Sequence, residues 1–163
     1  MKINMLKPAW TMKDAAERMS RRSKRFFIKD MTVIFYPYLK IVFRVDMGER
    51  LRRFNSKAVC LVDMYTGRYN LAKNFGQFAE IEMEENCVMP VKVEREKAIA
   101  GAPLEICGDI MAAKRLPKIP DIVFEEDELF YKPFYVVECT NDEGEFFHML
   151  FDAVLGDFSL LNA

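Results

Sequence analysis

The spacing of apolar residues predicts a helix near the start of the chain, over residues 11–24. Four residues at intervals of three and four form its apolar stripe: Met12, Ala15, Ala16 and Met19. This spacing places them on one face of an amphipathic helix. Thr11 lies in front of the stripe and Asp14 follows three residues later, a pattern typical of a helix N-terminus.

The residues that follow are typical of β-structure. The stretch "MTVIFYPYLKIVFRVDM" is dense in β-branched and aromatic side chains. From Leu39 to Val45 every second residue is apolar, which predicts a strand with one buried face. Pro37 has no backbone N–H, so we expect it at a strand start, a bulge or a sheet edge. "GERLRRFNS" then predicts a hairpin connection, and "KAVCLVDM" predicts the returning strand.

A turn pattern closes this hairpin and recurs near the end of the sequence. It reads "CLVDMYTGRYNL" at residues 60–71 and "MLFDAVLGDFSL" at residues 149–160. Each copy has an aspartate and a glycine four residues apart: Asp63 with Gly67, and Asp152 with Gly156. Aspartate accepts hydrogen bonds from the amides ahead of it, and glycine supplies the positive φ that lets the chain reverse. We therefore interpret these residues as structural turns rather than as metal ligands or catalytic carboxylates.

Other parts of the pattern also occur twice. "FYPYLKIVF" is similar to "YKPFYVVEC", and a second helical pattern starts near Ala98, where Pro103 is expected to kink or split the helix. The sequence therefore predicts an α+β fold of two similar units, each a helix packed on an antiparallel β-meander. The predicted ranges are 1–75 for the first repeat with its basic helix, 76–93 for an acidic linker, and 94–163 for the second repeat.

A helix with alanines, followed by a meander that ends in "VDMYTG", resembles the PepSY domain. The first copy matches at six positions: Ala15, Ala16, Val62, Asp63, Thr66 and Gly67. The second copy has Phe151 in place of the valine and Leu155 in place of the threonine. The resemblance implies a cystatin-like α+β unit in tandem, without catalytic residues. Because several PepSY domains are associated with inhibiting or chaperoning peptidases, usually outside the membrane, an intracellular peptidase inhibitor or regulator is one alternative.

Composition adds the class of protein and its compartment. The 163 residues are 51% apolar and 30% charged, which predicts a folded chain. No secretory pattern and no apolar run of about 18 residues occurs, so we expect a cytoplasmic protein without a membrane partner. The four cysteines are widely spaced, which favours buried reduced thiols over disulfides or a zinc site.

Enzymatic chemistry finds little support in the sequence. We find no nucleophile–base pair, no metal-ligand cluster and no glycine-rich phosphate loop. The single histidine, His148, lies in a strand pattern and is more typical of a surface or core position than of a ligand. The sequence therefore predicts a protein that is not an enzyme and uses neither a cofactor nor a metal.

Charge is distributed unevenly along the chain. Residues 1–55 carry 14 Lys/Arg and 5 Asp/Glu, a net charge of 14 − 5 = +9, whereas residues 56–163 carry 10 and 20, or 10 − 20 = −10. Basic residues beside aromatic ones hold phosphates and bases in other proteins, so nucleic acid is a possible partner. The candidate nucleic-acid-binding residues are Arg21, Arg22, Lys24, Arg25, Arg52 and Arg53. The alternative is a solvated helix end.

Aromatic residues near the two prolines suggest a protein-binding surface instead. The candidates are Tyr36, Tyr38, Phe134 and Tyr135. An open antiparallel sheet leaves one face uncovered, and a partner would bury rings on that face. The alternative is that the two repeats bury these rings against each other. The leading hypothesis is a non-enzymatic binding or regulatory module that contacts a protein partner or a second copy of the chain.

Overall fold

The computed structural model describes residues 1–23, 25–47, 56–72 and 75–161 of the chain. Over these residues it has two α-helices and an eight-stranded sheet, so the predicted α+β class is confirmed. The helices are α1 (Met12–Arg22) and α2 (Arg95–Lys114), and a 3-10 helix spans Glu85–Cys87. The strands are β1 (Lys2–Leu6), β2 (Phe26–Asp46), β3 (Ser56–Asp63), β4 (Tyr69–Ala72), β5 (Phe78–Glu82), β6 (Asp121–Asn141), β7 (Phe146–Asp152) and β8 (Phe158–Leu160).

Helix α1 begins where the sequence predicts. The Oγ1 atom of Thr11 accepts a hydrogen bond from the Asp14 N–H at 3.1 Å, which satisfies one of the free amides of the first turn. Ala15 and Met19 are buried, and Arg21 and Arg22 lie in the last turn, where cations interact favourably with the helix dipole.

Helix α2 runs without interruption through Pro103, so the expected split is wrong. Proline removes one helical hydrogen bond, but four buried side chains hold both halves of the helix on the strands: Ala98, Ala102, Ile106 and Ile110. Arg115 ends the helix in a left-handed conformation with φ of 50°, and its N–H donates to the Met111 carbonyl.

The strand pairs are mostly antiparallel. β3 lies between β2 and β4, with Leu39 opposite Val62, and β7 lies between β6 and β8. β1 pairs antiparallel with β5 and meets β6 in a parallel bridge between Met5 and Tyr131. The order of hydrogen-bonded neighbours is β4-β3-β2-β6-β1-β5, with β7 joined to β6. The sequence patterns did not predict β1 or β5.

The chain divides into two compact units, each built from separate segments. Unit 1 comprises Met1–Tyr36, Gly76–Met89 and Tyr131–Ala163, and unit 2 comprises Pro37–Phe75 and Pro90–Phe130. These ranges differ from the predicted repeats 1–75 and 94–163. The difference arises because β2 and β6, each 21 residues long, contribute one part to each unit. Pro37 accordingly lies inside β2 rather than at its start.

The core of unit 2 lies between α2 and the strands on which it packs. The second part of β2 contributes every second residue from Leu39 to Val45, and β3 contributes Ala58, Cys60 and Val62. These side chains meet the buried face of α2. The partners of α2 thus come from strands that follow α1 in the sequence.

The core of unit 1 lies under α1. Ala15 and Met19 pack against Tyr135, Val137 and Phe151, which belong to β6 and β7. These strands follow α2 in the sequence. A smaller cluster in the same unit contains Ile3, Phe35 and Tyr131.

The turn after β3 is held by the side chain and the carbonyl of Asp63. Its Oδ1 atom accepts hydrogen bonds from the amides of Tyr65 and Thr66, both at 2.9 Å. Its carbonyl accepts the Gly67 amide at 2.7 Å, and Gly67 has φ of 84°. The turn is completed when the Asp63 amide donates to the Arg68 carbonyl at 2.8 Å.

The turn after β7 makes the corresponding set of hydrogen bonds. The Oδ1 atom of Asp152 accepts from the amides of Val154 and Leu155 at 2.9 and 3.0 Å. The Asp152 carbonyl accepts the Gly156 amide at 2.8 Å, and Gly156 has φ of 81°. The Asp152 amide donates to the Asp157 carbonyl at 2.8 Å.

Each turn also receives the segment that leads into a helix. In unit 2 the Met64 carbonyl accepts the amides of Lys92 and Val93, just before α2. In unit 1 the Ala153 carbonyl accepts the amides of Ala9 and Trp10, just before α1. The turn therefore fixes where the helix of its own unit enters.

Trp10 makes the turn of unit 1 tighter than that of unit 2. A Cβ atom on Gly156 would lie 2.6 Å from Trp10 Nε1, whereas a Cβ atom on Gly67 would have only Val93 Cγ2 nearby, at 3.8 Å. Arg18 adds to this contact, because its guanidinium lies 4.9 Å from the centre of the Trp10 ring and its Nε donates to the Gly156 carbonyl at 2.9 Å.

We predict that Gly156→Ala destabilises the protein more than Gly67→Ala does. Both changes force alanine into a positive-φ conformation, which costs about 1–2 kcal/mol. Only Gly156→Ala also drives a methyl group into Trp10, and overpacking of that kind adds about 1–3 kcal/mol. Urea unfolding of the two variants measures the difference, and equal losses would contradict the packing at Trp10.

Candidate protein-binding surface

The predicted aromatic residues divide between two sides of the strands. Tyr135 is only 6% exposed, lies in the core of unit 1 and donates its hydroxyl hydrogen to the Trp10 carbonyl at 2.6 Å. Burial raises the pKa of this hydroxyl. Phe134, the preceding residue, points to the side of the strands that carries no helix, because successive side chains alternate along a strand. Tyr135 therefore supports the fold and is not available at the surface.

The helix-free face of unit 1 carries a pair of aromatic rings. The Tyr36 and Phe134 rings are 6.0 Å apart at an interplanar angle of 73°, and both side chains are half-buried. Edge-to-face pairs of this kind are favourable and hold the rings in fixed orientations.

A buried ion pair lies beside these rings. Lys132 Nζ is 2.6 Å from Asp152 Oδ2 and 5.2 Å from the centre of the Phe134 ring. Asp152 thus holds Lys132 with one oxygen and caps its turn with the other. Separating the two groups would leave each charge buried without a partner, which is costly. The ion pair therefore holds Lys132 in a fixed position.

A shallow groove runs along the same face, across β6, β7 and β8. It is lined by Phe134, Leu150, Asp152, Asp157, Phe158 and Ser159. Leu150 lies opposite Ser159 in the β7–β8 ladder and is partly exposed. The face therefore offers an aromatic pair and an aliphatic side chain next to a lysine whose charge is already paired.

Unit 2 arranges its aromatic residues differently. Tyr38 stacks on Phe130 with ring centres 5.8 Å apart, and Phe75 meets Phe130 edge-on at 5.9 Å. Phe130 is buried, and Lys40 Nζ lies 5.1 Å from the centre of the Phe75 ring. Tyr38 and Phe75 are thus half-buried, like Tyr36 and Phe134 in unit 1, and they pack on a buried ring.

Three of the six predicted nucleic-acid-binding residues lie in the described ranges. Arg21, Arg22 and Arg25 are exposed at and just after the end of α1. Lys24, Arg52 and Arg53 lie outside the described ranges. Arg18, which lies outside the predicted set, contacts Trp10 and the turn of unit 1.

The acidic residues of "FEEDE", residues 124–128, pair with cations outside the predicted basic set. Glu125 Oε2 is 3.2 Å from Lys57 Nζ, and Asp127 forms a two-pronged ion pair with Arg95. This pairing raises the pKa of Arg95. Arg21, Arg22 and Arg25 form no ion pair in the parts of the chain that the structure describes.

The candidate chemical groups are dispersed. His148 is exposed on β7. Among the described residues, no three His, Cys, Asp or Glu side chains are placed to hold a metal ion. Burial raises the pKa of the Cys60 thiol to about 12 and also raises that of Cys139.

Comparisons of the chain with protein-family models, curated proteins and solved structures gave no match. The resemblance to the PepSY domain therefore stays a prediction. No helix in the described ranges is long and apolar enough to cross a membrane.

Two features of the surface were missed by the sequence analysis. The Lys132–Asp152 pair joins residues 20 positions apart, and no short motif signals it. The inward orientation of Tyr135 had a signal, because Val137 and Cys139 share its parity along β6 and are apolar. Because successive side chains lie on opposite faces of a strand, the pattern places Phe134 and Tyr135 on different faces.

We predict that thiol reagents distinguish the cysteines of the folded protein. Cys87 and Cys107 are partly exposed and are expected to react within minutes at pH 8, whereas buried Cys60 and Cys139 react only on unfolding. Absorbance titration with a disulfide reagent, with and without denaturant, counts the thiols. Four rapidly reacting thiols in the native protein would contradict the burial.

The same burial predicts weaker folding at alkaline pH. Because the pKa of Cys60 is 9.0 when exposed and about 12 in the fold, the unfolded thiol loses its proton first. The contribution of Cys60 to stability is thus complete below pH 9 and is lost as pH rises toward 12. Urea unfolding of the protein and of Cys60→Ala at pH 7 to 11 measures it, and the variant is expected to lose less stability over this range.

Proposed function

We propose that this protein is a non-enzymatic binding module of two similar PepSY-like units, and that a protein partner docks on the helix-free face of unit 1. The observation that carries the proposal is the group formed on this face by Tyr36, Phe134 and Lys132, next to a groove lined by Leu150. Aromatic residues on a fixed scaffold are enriched among the central residues of protein interfaces.

The similarity of the two units is supported by their hydrogen bonds. The Asp63 and Asp152 turns make the same four types of backbone and side-chain bond. The Met64 and Ala153 carbonyls each accept two amides from the segment before a helix. Two independent folds would have no reason to repeat six bonds at corresponding positions. This agreement favours duplication of one α+β unit.

The low mobility of the side chains on this face favours its use as a binding surface. Lys132 is held by its ion pair with Asp152, and the Tyr36 and Phe134 rings hold each other. A partner that covers these groups therefore restricts few side-chain rotations, and the entropy lost on binding is small. The half-buried rings also bring apolar area that a partner would remove from water.

Nucleic-acid binding is the second candidate, favoured by one observation. Arg21, Arg22 and Arg25 are exposed together at the end of α1, and none of them forms an ion pair in the described parts of the chain. Such a cluster attracts phosphates through charge, with an affinity that falls steeply as salt increases.

Site-specific cross-linking tests the proposed function. A photoreactive phenylalanine analogue in place of Phe134 is expected to cross-link one partner protein in the source cells, because the side chain lies on the proposed surface. The same analogue in place of Leu104, which is 88% exposed on α2, is the matched control. Leu150→Asp should abolish the Phe134 cross-link. Equal cross-linking from both positions, or none from Phe134, would reject the surface.

Titration with labelled nucleic acid tests the alternative. We expect fluorescence anisotropy at low salt to show no saturable binding of single-stranded or double-stranded oligonucleotides. If binding occurs, loses about tenfold or more in affinity in the triple variant Arg21→Glu, Arg22→Glu, Arg25→Glu, and falls with salt, the nucleic-acid function replaces the proposed one.

A further inference from the structure

The two helices enter their units in the same way but differ in length. The amides of Trp10 and Val93 each donate to a turn carbonyl, which aligns the two helices at their starts. Helix α1 then has 11 residues and α2 has 20. In this alignment, Arg22 at the end of α1 corresponds to Glu105, and the part of α2 beyond it has no counterpart in α1.

The additional part of α2 covers apolar strand residues in unit 2. Ile106 and Ile110 lie in the core with Ala58 and Cys60, and Cys60 is completely buried. Ile110 also lines a groove with Leu71, at the β4 edge. The second half of α2 thus shields the first part of β3 and the neighbouring edge strand from water.

The corresponding strand positions in unit 1 are less covered, and two of the three carry larger residues, one of which, Phe147, meets Phe26 edge-on with ring centres 5.9 Å apart. Counting from the turn aspartates Asp63 and Asp152, the counterparts of Ala58, Cys60 and Leu71 are Phe147, Met149 and Leu160. Phe147 and Met149 remain partly exposed, and Leu160 is 55% exposed. Met149 lies opposite Leu160 in the β7–β8 ladder, so the two share a face. We call Phe147, Met149 and Leu160 the apolar step.

The charges around the apolar step select the kind of partner. Arg21 and Arg22 lie in the last turn of α1, and Arg25 follows it. All three are exposed, and no ion pair involves them in the described ranges. Three carboxylates lie near them without forming an ion pair: Asp14 and Glu17 line one groove with Arg21 and Arg22, and Asp157 lines another with Arg22. A helix that starts beyond α1 would place its first turn near these arginines.

We propose that an amphipathic helix of a partner protein, acidic in its first turn, docks on the apolar step and completes the helix layer of unit 1. The inference rests on the proposed similarity of the units, because unit 2 shows what covers the corresponding positions. The apolar face of the docked helix contacts Phe147, Met149 and Leu160. Its acidic first turn pairs with Arg21 and Arg22, where the positive helix N-terminus also favours acidic side chains.

The second half of α2 supplies the probe for the test. A helix-stabilised, fluorescent peptide with the sequence of residues 104–115, carrying Cys107→Ser, has Glu105 near its start and the two isoleucines on one face. We expect it to bind the full chain with a dissociation constant of about 10–100 µM, measured by fluorescence anisotropy. A control peptide in which Ile106 and Ile110 are aspartates is expected not to bind.

Two matched variants of the protein locate the binding. Leu160→Glu is expected to weaken binding about tenfold or more by placing a charge in the apolar step. Phe146→Glu, at a residue that is 68% exposed on the opposite face of β7 from Phe147, should leave binding unchanged. Because Leu160 and Phe146 are both exposed, neither change is expected to unfold the protein, and circular dichroism checks this.

The arginines provide the second readout. Arg22→Glu is expected to weaken peptide binding about threefold to tenfold at low salt, with a smaller effect at about 0.5 M salt. Absence of peptide binding, or equal binding to wild type and Leu160→Glu, would overturn the inference. Binding that depends on Arg22 but not on Leu160, with oligonucleotides competing, would assign the arginines to nucleic acid and also overturn it. The Phe134 cross-link probes the other face, so the proposed function is judged separately.

Discussion

The helix of each unit is positioned by one backbone carbonyl in the turn beneath it. The Met64 and Ala153 carbonyls each accept two amides of the chain just before a helix, and each carbonyl stays in place because an aspartate caps its turn. If the turn loses its shape, the helix loses its entry point. This coupling explains why aspartate and glycine, rather than the longer apolar pattern, form the part of the sequence that repeats most clearly.

The two turns have nevertheless acquired different surroundings. In unit 1 the aspartate also holds Lys132, and the glycine lies under Trp10, whose ring contacts Arg18. In unit 2 the glycine has only Val93 nearby. Unit 1 therefore combines the tighter turn, the oriented lysine and the exposed arginines. The residues around the turn thus differ between the two units, although the hydrogen bonds of the two turns correspond.

Local structure could be predicted from the sequence, but the pairing of distant segments could not. The stripe ending at Met19 gave α1, and the aspartate–glycine spacing gave both turns, because these features depend on residues within a few positions. The assembly of each unit depends on β2 and β6, whose 21 residues each continue through a proline, although Pro37 was expected at a strand start, a bulge or a sheet edge. A hydrophobic period identifies a strand and its buried face, but it does not say which helix will cover that face. The same limit applies to the candidate surface. Phe134 could be predicted because it lies beside a proline in the sequence, but the Lys132–Asp152 pair could not, because it joins distant residues.

The continuation of α2 past Pro103 indicates how much free energy is gained when a helix covers the strands beneath it. Proline inside a helix costs about 3 kcal/mol, so Pro103 alone would favour ending α2 halfway. The helix continues because Ile106 and Ile110 are buried beyond it, and burying two such side chains contributes about 3–6 kcal/mol. The gain from covering Ala58, Cys60 and Leu71 is therefore large enough to offset a broken helical hydrogen bond. In unit 1 two of the three corresponding residues are bulkier, and Phe26 already meets one of them, Phe147, edge-on. Leu160 stays 55% exposed, so a helix docked there, as proposed, would gain free energy by removing apolar area from water.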